Sequence, residues 1–562
     1  MGKGNVYIQM RDALGPIYHD ESFAHLFPQN GRPVEAPWRL ALITVMQFAE
    51  ELPDREAADA VRGRIDWKYA LGLELTDCGF DASVLCEFRK RLIQGGAEQL
   101  LLETMLTLFK ERGWLKARGR QRTDSTHVLA KIRAINRLVC VGETMRFALN
   151  SLAVVAPHWL LAHCDDTWLD RYVHRFEEGH LPKEQIERQA LAEMIGQDGA
   201  HLLTDLLAPT APLWLRQVPA VERLRQIWIQ NYMYENGRLC WRANDNISPA
   251  SCYVGSPYDT DARYGKKRDT TWVGYKVHVT ETCDEDAPHL ITHVATTLAP
   301  TADDTVTLKI HEDLKQDDLL PSEHWLDAGY ITGKALVSGP KEFGVSIIGP
   351  TRANHKWQAS LSPGFDASQF FIDWEAMQAV CPEGYRSNSW TPAIDCGHNE
   401  VIKIKFSLKD CRDCPSQAKC TRSAPPRRTL TIRPKDQYLA LQHARELQGT
   451  RQFSPTYSLR QGVEGTISQG VRAFGMRRSR YVGRRKTHLQ HVAIASAINV
   501  VRLVAWLRGD RPEKTRTSAF ARLFSYMLPA RDCGMSLCLL RPGIRLQRCL
   551  AGVIPQIQHA SI

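Results

Sequence analysis

Apolar residues recur at three- and four-residue spacing through Trp38–Glu50 and Gln99–Phe109, with turn-like breaks at Leu52-Pro53 and Gly95-Gly96. This pattern predicts a compact helical domain over residues 1–115. Within it, Asp81 is placed to cap a helix that ends in Arg89, Lys90 and Arg91. Such a basic end suits a helix lying on DNA, as in a DNA-binding-type domain. It suits equally an amphipathic helix whose cations face water.

The period then changes. Arg120–Leu129, with Thr and Val, reads as a first strand within residues 116–130, and Asp124 is expected at its end. Residues 131–250 follow as a helical insertion, with no strand signal over 131–235. From Thr270 strands and helices alternate. Thr271–Thr280 and His289–Thr297 read as a hairpin, a helix opens at Thr301-Ala-Asp-Asp, a short strand ends at Asp327, a helix lies near Gly333–Val337, and Val345–Ile348 is a strand. Three antiparallel strands followed by helix–strand units predict an α/β fold, a mixed sheet flanked by helices, with the core over residues 251–351. Residues 352–450, rich in Trp, Pro, Gly and Cys, form a second, cysteine-containing insertion. A core helix and a basic helical segment follow over 451–508, and the basic tail 509–562 has no clear period.

At 562 residues and 43% hydrophobic content the chain is too large for a single small binding module. Its charge of +10 is concentrated: after Glu464 there are 17 Lys and Arg against 3 Asp and Glu. That tilt fits a polyanionic partner, nucleic acid first and an anionic membrane surface second. No run reaches the roughly 18–20 uninterrupted apolar residues that span a bilayer, and the start lacks the apolar core of a secretory signal. A soluble protein of the cytoplasm, associated with the nucleoid, is expected. The 15 cysteines then read as thiols or metal ligands rather than disulfides.

Two acids, Asp124 and Asp327, are expected at strand ends in one cleft. A third, Glu464, follows Tyr457 and Arg460 at spacings of three and four, which predicts one shared helix face. Asp-Ser-Thr at 124–126, Gly-Tyr-Lys-Val-His at 274–278, Asp-Ala-Gly-Tyr at 327–330 and Tyr-x-x-Arg-x-x-x-Glu at 457–464 together resemble bacterial insertion-sequence DDE transposases. Within that family the chain is most similar to the insertion-sequence 1182 branch, and the resemblance spans about residues 10–508. It implies an RNase H-like catalytic core, an all-α N-terminal domain, catalysis by Asp124, Asp327 and Glu464, and a homodimer acting in a DNA synapse. One position departs. The family signature's Lys, seven residues after the Glu, is Val471 here, with Arg472 beside it.

The chemistry of such a site is concrete. Phosphodiester cleavage requires an activated oxygen nucleophile, a stabilised phosphorus centre and a neutralised leaving oxygen. Two Mg²⁺ (or Mn²⁺) ions about 3.5–4 Å apart supply all three, held by carboxylates and the DNA itself. Asp327 is expected to bridge the ions, Asp124 to complete one site and Glu464 the other. Tyr457 and Arg460 would contact the phosphate near the cut. Arg472, Arg477, Arg478, Arg480, Arg484, Arg485 and Lys486 would neutralise phosphates beyond it. The expected reaction is cleavage at the element's terminal inverted repeats and transfer of 3′-hydroxyl ends into target DNA. The rival readings are a non-catalytic DNA-binding relative, an inactive copy, and a nuclease that cuts without joining.

Cys411-x-x-Cys414, Cys420 and the upstream Cys381 can close a tetrahedral Zn²⁺ site, the same four that the resemblance implies. Cys396 and His398 are competing ligands. Unrelated reduced thiols or a redox pair are the alternatives.

Overall fold

Six segments pair into one mixed sheet, of which β3, β4 and β6 are rich in strand-forming residues: β1 (Arg118–Leu129), β2 (Arg263–Lys267), β3 (Thr270–Thr282), β4 (Ile291–Leu298), β5 (Pro321–Trp325) and β6 (Ser346–Ile348). The computed structural model describes residues 4–28, 36–132, 134–361 and 364–511. β3 pairs antiparallel with β1, β2 and β4, whereas β5 lies parallel to both β1 and β6, so the order across the sheet is β4-β3-β1-β5-β6. Helix Thr307–Gln316 connects β4 to β5, and helix Gly333–Ser338 connects β5 to β6.

Asp124 is not at a strand end. β3 keeps pairing with β1 as far as Leu129↔Gly274, so five strand residues follow the acid. Gly274 makes this possible: its φ is +152°, and a Cβ there would stand 2.2 Å from the Val128 carbonyl oxygen. Asp327, in turn, lies two residues beyond β5. The parallel register Arg122↔Trp325, continued by two residues, sets Asp124 opposite Asp327.

The N-terminal helices do not pack by themselves. Leu40, Ile43, Phe48, Leu102 and Phe109 share one apolar core with Val277 and Val279 of β3, Ile291 and Val294 of β4, and Ile494 and Ile498 of helix Arg484–Leu507. Asp81 accepts from the N–H of Ser83, the helix's first residue, at 2.9 Å, one position ahead of the N-cap, which is Ala82. Arg89, however, faces neither DNA nor water: it is 5% exposed, pairs with Asp54 at 2.5 Å and lies over the Tyr481 ring.

Where helix Leu100–Glu111 meets the sheet, burial pushes the Glu103 carboxyl up to about 7, aided by the charges of Asp317 and Asp313. The folded chain therefore holds a proton that the unfolded chain releases, and stability falls as pH rises from about 4.5 through 7. Glu103→Gln is expected to melt above the wild type at pH 8, by about 1–2 kcal/mol, and level with it at pH 4. Equal melting of the two proteins at both pH values would contradict this.

Residues between β1 and β2 form helices with their own apolar cluster, including Val141, Met145, Ile195, Leu202, Leu224 and Ile227. Against the expectation of helices alone, Tyr232–Glu235 and Arg238–Trp241 pair as a hairpin. Its turn, Asn236-Gly237 with φ of 50° and 80°, is the left-handed pair that suits a two-residue hairpin. Two helices, Arg137–Val155 and Arg484–Leu507, are long and apolar enough by composition to cross a membrane, yet both are more than half buried within the protein.

After β6, Ser387–Ile394, Glu400–Phe406 and Thr429–Ile432 form a small antiparallel sheet over a core of Phe370, Ile404 and Phe406, followed by helix Lys435–Gln448. Residues 512–562, most of the basic tail, lie outside the described residues.

Candidate active site

Alternation along β1 organises the site. Arg122, Asp124 and Thr126 share one face, and each meets the segment 459–477. Arg122 donates to the Leu459 carbonyl, Asp124 pairs with Arg460 at 2.6 Å, and Thr126 accepts from Arg477 Nε at 2.8 Å. That segment is not the single helix its spacing predicts. It runs as helix Phe453–Tyr457, a 3₁₀ turn Ser458–Gln461 and helix Gly462–Ala473. At the tightened turn, the Leu459 carbonyl accepts both the Gly462 N–H and the Arg122 guanidinium.

Arg460 reaches all three acids. Its guanidinium lies 2.6 Å from Asp124, 3.8 Å from Asp327 and 3.0 Å from Glu464, and its Nε is buried without a partner. Exposure rises through the set, from 14% for the Asp124 side chain to 31% for Asp327 and 63% for Glu464. Burial holds the Asp124 carboxyl above the usual carboxylate range; the Arg460 charge opposes this and the Asp327 charge adds to it. Hard carboxylate oxygens gathered on one cation fit a divalent metal such as Mg²⁺. Among the described residues no three His, Cys, Asp or Glu side chains stand at metal-ligand spacing. At the acids, that central position is held by Arg460.

The flanking motifs prove to be supports. The Asp327 carboxylate folds back to accept from the Gly329 N–H at 2.7 Å, and a Cβ on Gly329 would stand 2.9 Å from it, which explains the glycine. His278 Nδ1 meets the Tyr330 hydroxyl at 2.7 Å, and burial lowers this histidine to about 3, so it stays neutral. Lys276 donates to Asp303 at 2.8 Å and to the Thr301 carbonyl at 2.7 Å. Asp303 stands near both Ser125 and Gly329, a neighbour of the site that the sequence presents only as a helix start. The Tyr457 hydroxyl donates to the Leu326 carbonyl at 3.2 Å, beside Asp327.

The basic run divides. Arg472, Arg478, Arg484, Arg485 and Lys486 are exposed. Arg480 instead donates to the Leu52 carbonyl and covers Phe48, and Arg485 pairs with Glu98 at 2.5 Å, so these two fasten the N-terminal helices. The helix expected through this run is interrupted: Leu129 of β1 donates to the Arg477 carbonyl and accepts from Ser479, stitching the segment to the end of the sheet.

In the small sheet, Cys381, Cys411, Cys414 and Cys420 line one cavity of about 30 Å³, all as free thiols. Burial pushes the Cys420 thiol up to about 11, and the other three thiols raise it further. Cys396 and His398 are exposed in the turn at the far end of the Ser387–Ile394/Glu400–Phe406 hairpin, roughly 20 Å away by strand rise, and so do not compete.

The model of a transposase DDE domain matches residues 380–504, and that of a transposase domain (DUF772) matches residues 3–91. Both are transposase domains. The first match spans Tyr457, Arg460, Glu464 and the four clustered cysteines, and stops short of Asp124 and Asp327. Together the two support a transposase role for the chain, with nuclease-type chemistry, on a mixed α/β fold. No curated protein matches the chain.

Proposed function

We propose that the protein is a metal-dependent DNA transposase of the insertion-sequence DDE group, in its insertion-sequence 1182 branch, with Asp124, Asp327 and Glu464 as its catalytic acids. The carrying observation is Arg460, one guanidinium within 4 Å of all three carboxylates although 203 and 137 residues separate them along the chain. The strand order β4-β3-β1-β5-β6, with an acid on β1 and another after the parallel β5, supports an RNase H-like core.

The three acids would hold two Mg²⁺ or Mn²⁺ ions. When bound, such ions activate the attacking oxygen and neutralise the leaving one. The chain's own residues do the rest. Tyr457 and Arg352 brace the Asp327 turn through the carbonyls of Leu326, Ala328 and Gly329. Exposed Arg472, Arg478, Arg484 and Lys486 meet phosphates leading away from the cut. The substrate is the element's terminal inverted repeats, then target DNA, with a homodimer joining two ends, in the cytoplasm at the nucleoid.

Purified protein, Mg²⁺ and duplexes ending in the element's inverted repeats test the reading. Cleavage followed by joined products is expected. Binding without cleavage would replace it with a DNA-binding protein, and cleavage without joining with a nuclease.

Cys381, Cys411, Cys414 and Cys420 would hold a structural zinc, since four cysteines lining one small cavity supply, once deprotonated, a zinc donor set. Metal analysis is expected to find about one zinc per chain, lost in Cys414→Ser along with much of the protease resistance of residues 370–432. Zinc-free protein with four freely titratable thiols would refute the site.

A further inference from the structure

A cavity of about 590 Å³ opens between residues 351–356, residues 366–368, the end of strand Thr429–Ile432 and helix Lys435–Gln448, and its Arg352 reaches the turn after Asp327. Its wall carries Arg352, Lys356, Arg433 and Arg445 against one carboxylate, Asp366. That carboxylate is engaged locally by Asn354 at 2.7 Å and the Ser368 hydroxyl at 2.6 Å. Arg433 leans on Asp395 at 3.3 Å, whereas Lys356 and Arg445 are exposed and have no ion pair among the described residues.

The cavity is locked in register with the Asp327 turn. Arg352 donates to the carbonyls of Ala328 and Gly329 and pairs with Asp304 at 2.7 Å. The Thr351 N–H donates to Gln448, and Gly333, six residues past Asp327, lies against Gln437 of the cavity's helix wall. Arg477 meets β1 on the other side. Cationic side chains thus reach the site from two directions, Arg477 at β1 and Arg352 at the Asp327 turn. Such flanking cations offset the repulsion that clustered carboxylates exert on a phosphate chain.

We propose that this cavity binds the phosphodiester backbone of the DNA strand that passes Asp327, with Lys356 and Arg445 contacting phosphates and Arg352 holding the cavity on the catalytic turn. This rests on the transposase reading.

The test is fluorescence anisotropy of the full chain with a labelled duplex across a salt series without divalent metal. In Lys356→Gln/Arg445→Gln, affinity should fall alike for element-end and unrelated duplexes, and the slope of log K against log salt should shrink by about 1–2. Lys356→Arg/Arg445→Lys should restore both. Wild-type affinity and slope in the glutamine variant would overturn the cavity's role. If the wild type itself shows no salt-dependent DNA binding, the transposase reading fails and the inference falls with it.

Discussion

Asp327→Asn is expected to lower Mg²⁺-dependent cleavage by about 10³-fold or more, which is several kcal/mol of lost transition-state stabilisation, while the protein stays folded. The substitution is clean for a structural reason. Asp327 spends one carboxylate oxygen on the Gly329 N–H at 2.7 Å, and an asparagine oxygen accepts that bond equally well. Its distance to Arg460, 3.8 Å, is the longest of the three, so little folded-state pairing is lost. What disappears is one of the negative charges with which the acids would hold a divalent ion. Unchanged thermal unfolding with cleavage gone is the predicted pair of results. Cleavage at the wild-type rate would refute the site, and loss of folding would move Asp327 from chemistry to structure.

Glu281→Ala is expected to cost about 3–5 kcal/mol of stability. Glu281 is fully buried near the end of β3, on the face that carries Arg122 and Asp124, where its carboxylate takes Arg122 and Arg502, each at 2.7 Å, and the Thr466 hydroxyl. Burial alone would raise this carboxyl, but Arg502 and Arg122 hold it below the usual range. Removing it strands two arginines in the interior. The damage should also reach the active site, because Arg122 holds Leu459 and Thr466 lies two residues from Glu464. Urea unfolding of the single variant is the first measurement. Adding Arg122→Met and Arg502→Leu should recover much of the loss, since an apolar replacement of a whole buried network is far cheaper than a broken one. Wild-type unfolding of Glu281→Ala would show that the network carries no stability.

Legibility in the sequence followed the range of the forces involved. The core strands were readable because alternation and β-branched residues are local signals, and β3, β4 and β6 lie within a few residues of their expected bounds. The convergence of the acids was also readable, through short motifs rather than periodicity. Long-range partners were not. Nothing near Arg89 announces that Asp54 takes its charge, and Arg480 and Arg485 look like the rest of their run until Leu52 and Glu98 come into contact. The exaggerated helix through Tyr457–Glu464 has the same origin, since its break depends on Arg122, more than 300 residues upstream. Asn236-Gly237 is the opposite case, a local turn signal overlooked because helices dominate around it.

Arg460 has one more consequence, for handling the protein. A cluster of acids that folded only around metal would fall apart under a chelator. Here the guanidinium offsets part of the carboxylates' charge from within, so EDTA should stop Mg²⁺-dependent cleavage and leave the fold around the acids standing. On the proposed reading, the chain should purify and store as a folded apoprotein, with cleavage starting only when the ion is added.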